Sequence, residues 1–254
     1  MQRIQTATRH AAAGIAVFSI LFFFAGCAAI QPAAGSDRAY TSSIGSNRTA
    51  STDAGSDISG AKPPRRPRSS VTEPKRLLVV EGALSLIGKN AIVVKGKTFP
   101  NDCTGVVRAA YWYAGIDLAK DFSKYTGNGV TRIYKTLKAK NLLYITNTPV
   151  PGDIIFWDNS YDRNEDGEWN DPLTHTGIVV SVSDDGQIEY VHANYRKGIV
   201  IEYMNLADPD TNTKKVKGKI VFINSAMRMR GQIVNELWLS SHLLREFGQG
   251  YLIR

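Results

Sequence analysis

The chain of 254 residues carries 31 Lys and Arg against 23 Asp and Glu, a net charge of +8, with only two cysteines, Cys27 and Cys103. That balance favours an anionic neighbour such as envelope polymer or phospholipid head groups. No zinc-finger spacing, phosphate loop or basic–aromatic strand pattern supports nucleic acid, and a disulfide would have to join an N-terminal leader to the core, so both are set aside.

Residues 1–10 hold Arg3 and Arg9 and no acid; residues 11–24 are apolar apart from Ser19 and run into Phe24-Ala25-Gly26-Cys27. A charged start, an apolar stretch too short for a comfortable span and small residues before a cleavage point read as a signal peptide over 1–26. The small residues before the cysteine resemble a bacterial lipoprotein lipobox, with Phe24 where Leu is usual. The resemblance implies acylation of Cys27 and a lipid anchor in the cell envelope. Ala29, where Asp would retain the protein, implies the periplasmic face of an outer membrane in a diderm host. Ordinary secretion and an uncleaved anchor are the alternatives. Residues 27–76 are rich in Ser, Thr, Pro and Arg and nearly free of large apolar side chains, which predicts a disordered tether. Its end, Lys62-Pro63-Pro64-Arg65-Arg66-Pro67-Arg68, suits acidic wall polymer or lipid, or a stiff solvated spacer.

A folded domain is expected over 77–230. Residues 77–89 read as a helix with Leu78, Leu84 and Ile87 among its apolar positions, and 91–99 as a short strand or extended arm. Asn101 and Asp102 are both good helix caps. Val107, Ala110, Tyr111 and Ala114 then recur at i, i+3, i+4 and i+7, an amphipathic helix that Gly115 can end. Cys103 falls in its first turn, where unpaired N–H groups and the helix dipole favour a thiolate. The same position also suits a small buried core cysteine. Residues 130–140 predict a second helix with Ile133, Tyr134 and Leu137 inward, and 142–146 a strand. Pro151-Gly152-Asp153 is a turn feeding the buried run Ile154-Ile155-Phe156-Trp157. Residues 175–182 and 187–194 form a hairpin about Asp184-Asp185-Gly186, and 199–203 with 219–223 complete five or six antiparallel strands. Residues 231–254 are expected to dock as an amphipathic helix, on the spacing of Ile233, Leu237, Leu243, Leu244 and Phe247 before Gly248. Helices first and strands after argue an α+β fold.

A nucleophile needs a base, and the base an orienter. His175 and His192 fall at the same end of the predicted hairpin, where one imidazole can face Cys103 while the other holds it. Asn194 shares a strand face with His192 by alternation. The loop before His175 carries Asp162, Asn164 and Asp166 with Gly167, the first half of a calcium loop. Leu173 stands where a bidentate Glu belongs, so Glu168, Asn170 or Asp171 would supply the missing oxygens of a structural calcium site bracing the active-site rim; the alternative is an unliganded acidic turn.

Asp102-Cys103-Thr104-Gly105, Pro151-Gly152-Asp153-Ile154-Ile155-Phe156, His175-Thr176-Gly177-Ile178-Val179 and Val191-His192-Ala193 resemble, in order, the NlpC-type cell-wall cysteine peptidases. The His175–His192 hairpin is longer than in that group and is similar to the CHAP amidases, where Glu and Asn follow the His; His192 and Asn194 stand in those places. The resemblance implies a papain-like fold, a nucleophile-bearing helix on a five- to six-stranded antiparallel sheet. It implies Cys103 as nucleophile, His175 as general base and His192 as orienter, with Asn194 and Asp102 auxiliary. The implied activity is hydrolysis of amide bonds in the peptide part of peptidoglycan through a thioester, with no cofactor required and a monomer expected. The Tyr-x-Trp-Gly-Gly run usual upstream is absent; Val93-Val94-Lys95-Gly96 stands there. A non-catalytic wall-binding lipoprotein and a thiol-dependent acyltransferase are the rival functions.

Overall fold

The computed structural model describes residues 72–228 and 237–254. The signal peptide, Cys27, the tether to residue 71 and part of the expected C-terminal helix lie outside the described residues. No helix among the described residues is long and apolar enough to cross a membrane.

Helix α1, Thr72–Leu84, starts before residue 77 and stops short of 89. Its inner side is Arg76, Val79 and Ala83, followed by Leu86, whereas Leu78, Leu84 and Ile87 face outward. The reason is a close helix contact: a Cβ on Gly82 would lie 2.8 Å from Tyr113 Cβ and 2.9 Å from the Ala110 carbonyl. The small residues therefore turn toward the next helix, and the larger leucines are rotated away. The expected arm at 91–99 is a tight hairpin, β1 (Ile92–Val94) and β2 (Lys97–Phe99). Lys95 and Gly96 both take positive φ, 48° and 74°, as a two-residue turn of this hand requires.

Helix α2, Cys103–Tyr113, buries Val107, Ala110, Tyr111 and Ala114 as its spacing predicts, and Gly115 follows at φ 76°. Helix α3, Gly129–Lys138, is capped by the Asn128 side chain and buries Ile133, Tyr134 and Leu137.

The sheet comprises β3 (Leu143–Tyr144), β4 (Ile154–Trp157), β5 (His175–Val182), β6 (Gln187–Asn194) and β7 (Gly198–Asn205). A separate exposed hairpin follows, β8 (Thr213–Val216) with β9 (Lys219–Phe222). The sixth strand is β10 (Leu244–Gly248), and the order β3-β10-β4-β5-β6-β7 is antiparallel throughout. The fold is α+β, with a six-stranded antiparallel sheet in a papain-like arrangement. Ile154, Phe156, Ile178, Val191 and Ile199 face the helices; Ile155, Trp157, Val179, Tyr190 and Phe247 build a second core on the other face.

Two expectations are corrected here. Residues 219–222 are a strand, but pair only with β8 and add nothing to the main sheet. The described part of the C-terminal segment is not a helix: residues 244–248 form a strand between β3 and β4, so the domain does not end at 230. Leu244 pairs with Trp157 and Phe247 with Ile155, and Phe247 is fully buried. The apolar spacing fits a helix, but partners distant in the chain decide the conformation.

The turn before β4 holds the layers together through Asp153, which is completely buried. Its carboxylate accepts from the Tyr144 hydroxyl, the Val150 N–H (2.7 Å) and the Tyr251 hydroxyl (3.1 Å), tying β3 and the C-terminus to the turn. Burial outweighs these donors and raises its pKa to about 6. A carboxyl with a folded pKa above its unfolded one binds protons preferentially in the native state, so its contribution to stability falls as pH rises from about 4 to 6. The cost at neutral pH is about 3 kcal/mol. Asp153→Asn is therefore expected to flatten the pH dependence of Tm across that interval, read by thermal unfolding at a series of pH values; an unchanged slope would show that Asp153 is not its source.

Candidate active site

Each residue of Asp102-Cys103-Thr104-Gly105 has a physical task. Asp102 is extended, φ −142° and ψ 179°, and its Oδ1 accepts from the Gly105 N–H and the Thr104 hydroxyl, both at 2.7 Å. The expected auxiliary Asp102 is thus the helix cap. A Cβ on Gly105 would sit 1.7 Å from the Pro100 carbonyl oxygen, so no other residue fits. The Val106 N–H donates to the Asp102 carbonyl at 3.1 Å. In the first turn this leaves the N–H groups of Cys103 and Thr104 beside the thiol.

His175 opens β5, its ring 5.7 Å from that of Trp157. Gly177 makes room for the next strand: a Cβ there would lie 3.0 Å from the Val191 carbonyl oxygen and 3.3 Å from His192 Cβ. The two imidazoles meet at right angles, with His175 Nε2 2.8 Å from His192 Nδ1. Cys103, His175 and His192 line one open cleft of about 1280 Å³. The cleft is also lined by Arg196, Lys197 and Phe222.

Sequence reasoning missed Glu202 on β7. Its Oε2 lies 3.0 Å from His192 Nε2, and the side chain is almost wholly buried. Register explains the meeting: His192 pairs with Val200 and Tyr190 with Glu202, so His192 and Glu202 share a sheet face. An acid at the inward alternation of a strand, one tight turn after His192, was the available signal. Asn194 shares that face and also lines the cleft, with its side chain engaged by its neighbours. Its Nδ2 donates to Glu202 Oε1 at 3.1 Å, while its Oδ1 accepts from the N–H groups of Arg196 and Lys197.

The loop at 162–171 spends most of its carboxylate oxygens on its own donors, although Asp162 Oδ1 is buried and makes no hydrogen bond. Asp162 Oδ2 accepts from the Gly167 N–H (2.8 Å), Asp166 Oδ1 from the Glu168 N–H (2.8 Å), and Asp166 Oδ2 from the Asn164 and Asn170 amides. Asp171 accepts from the Arg163 N–H, turned away from the others. Among the described residues no group of three or more His, Cys, Asp or Glu is gathered for a metal.

The electrostatics correct one expectation. Burial, followed by the nearby Asp102 charge, pushes the Cys103 thiol up to about 12 against the N–H groups of Thr176, Thr104 and Cys103. Burial, with a smaller push from His192, holds His175 well below its ordinary value of 6.5. The helix start does not produce a standing thiolate, because desolvation of the charge exceeds what its N–H groups return. Both shifts favour the neutral thiol and the neutral imidazole. Alkylation of Cys103 by iodoacetamide, followed by mass spectrometry of its peptide, should therefore rise about tenfold per pH unit between pH 6 and 9. A flat rate across that range would instead reveal a preformed thiolate–imidazolium pair.

No curated protein and no solved structure matches the chain. Residues 94–194 match the family model of the CHAP domain, a stretch running from the end of β1 to the end of β6 and enclosing Cys103, His175 and His192. CHAP domains are typically hydrolases that act on peptidoglycan, and the fold and the order of motifs agree with that group. The match over residues 94–194 is consistent with a cell-wall peptidase of the CHAP and NlpC kind.

Proposed function

We propose that the protein hydrolyses amide bonds in the peptide part of peptidoglycan, with Cys103 as nucleophile, His175 as general base and His192 as its orienter. The observation that carries this reading is the 2.8 Å contact between His175 Nε2 and His192 Nδ1 in the cleft that Cys103 opens onto. With His175 Nε2 engaged, its Nδ1 is the nitrogen left to take the thiol proton. The sulfur attacks the amide carbonyl as that proton moves, and the N–H groups at the start of α2 receive the developing oxyanion. The protonated His175 gives its proton to the leaving amine as the C–N bond breaks, and water resolves the thioester. Because both reacting groups start neutral, charge forms only as the carbonyl is attacked. Arg196, which also lines the cleft, suits a carboxylate of an acidic stem peptide.

The test is digestion of purified peptidoglycan by the protein beside Cys103→Ala, with products read by mass spectrometry. New peptide termini from the wild type alone are expected, and their identity names the bond. Sedimentation of both proteins with the wall and no cleavage would leave a binding module; an acylated acceptor amine would make the protein a transferase. A chelator arm separates the two readings of the 162–171 loop: lost activity would assign it calcium, and retained activity an acidic turn.

The same reading places the enzyme at the envelope, anchored by lipid on Cys27 and reaching the wall on the tether of 27–76. Cys27→Ser is expected to move the protein from the membrane fraction to the soluble one; retention in the membrane would remove the lipid anchor from this account.

A further inference from the structure

We propose that Glu202 is a positioning residue that dictates which ring nitrogen carries hydrogen in both His192 and His175, and that Lys197 limits the strength of its hold. The proposal rests on the reading of His175 as the general base, and it concerns a strand outside the stretch 94–194.

The carboxylate of Glu202 is shared. Oε2 faces His192 Nε2 at 3.0 Å, while Oε1 accepts from Asn194 Nδ2 at 3.1 Å and from Lys197 Nζ at 2.9 Å. Burial raises its proton affinity, but the hydrogen bonds and charges of His192 and Lys197 more than reverse this, and the group lies below the usual carboxylate range. An ionised carboxylate only accepts hydrogen bonds, so His192 must carry hydrogen on Nε2. In a neutral imidazole the other nitrogen is then bare. His192 Nδ1 therefore accepts, and the hydrogen in the 2.8 Å contact belongs to His175 Nε2. The same rule leaves His175 Nδ1 bare, with the lone pair that deprotonates a thiol. The assignment runs from the buried acid outward to the cleft.

The opposite state fails for an equally definite reason. If His192 takes a second proton, its Nδ1 becomes a donor and His175 Nε2 must accept. A neutral His175 then carries hydrogen on Nδ1 and has no lone pair for Cys103. An uncompensated buried carboxylate would draw His192 toward that state. Lys197, whose side chain is 63% exposed, offsets the charge at the other oxygen without itself being buried. The charged or titratable groups facing Glu202 are His192 and Tyr190 from β6 and Lys197 from the turn; the Tyr190 hydroxyl, its pKa raised by burial and by Glu202, stays neutral.

The test uses the full chain labelled with ¹⁵N-histidine, whose ring shifts report the tautomer directly, together with kinetics on a soluble muropeptide. In the wild type both His175 and His192 are expected to carry hydrogen on Nε2. Glu202→Gln keeps the shape, but its amide can donate to His192 Nε2 as readily as accept. A second His192 tautomer should appear and kcat fall by about 10²-fold with KM little changed. Lys197→Met, at an exposed position that spares the fold should Glu202→Gln fail to form it, should move the acid limb of kcat to higher pH and change the His192 ring shifts. Wild-type tautomers other than these, or variants whose histidine shifts match the wild type, overturn the proposal whatever the activity. Correct tautomers in a protein that cleaves nothing would instead overturn the hydrolase reading and leave the assignment standing.

Discussion

The carbonyl of Pro100 comes so close to the first turn of α2 that residue 105 can hold no side chain. That approach fixes where the helix may start, and Asp102 locks the start by taking the Gly105 N–H and the Thr104 hydroxyl. Cys103 is thereby held at a helix end whose flank is wholly buried, and its thiol comes within reach of the Thr176 N–H at the mouth of β5. The rest of the site follows from this seat. β5 brings His175 to the cleft that Cys103 lines, the missing side chain of Gly177 lets β6 close in, and His192 meets His175 edge-on.

Such a seat has an electrostatic consequence. The half-buried thiol resists ionisation because the protein packed behind it removes hydration that the helix N–H groups return only in part. In the mechanism proposed above, thiol and imidazole both start neutral and charge develops only as a carbonyl is attacked. A neutral thiol also reacts slowly with oxidants and adventitious electrophiles.

The parts of this structure that were legible in the amino-acid order are those set by near neighbours. The periodicity of Val107, Ala110 and Tyr111, the Asp102 cap and the turn at Asp184-Asp185-Gly186 each concern a few consecutive residues, and they placed Cys103, His175 and His192 on the right elements. What was illegible depends on distant partners. Glu202 is an ordinary strand acid until the β6–β7 register sets it beside His192. Leu243, Leu244 and Phe247 suit a helix face as well as a strand, and only the opening between β3 and β4 decides. The outward turn of Leu78 and Leu84 follows from the fit of Gly82 against α2. The thiol's proton affinity could not be judged from its place in a helix, because the surroundings that desolvate it come from elsewhere in the chain.

The position of β10 bears on the order in which the molecule can be made. β5, β6 and β7 are joined by short turns and can pair as soon as each leaves the ribosome. β4, which aligns the start of β5, keeps one edge bare, and β3 has no neighbour in the sheet at all, until the chain has been synthesised past residue 248. A chain interrupted shortly before that point holds every residue named in the cleft, yet lacks the strand that closes the sheet beneath it. Completion of the sheet thereby depends on a strand far along the chain from the hairpin that carries the two histidines, so the site can take shape in outline before its support is closed.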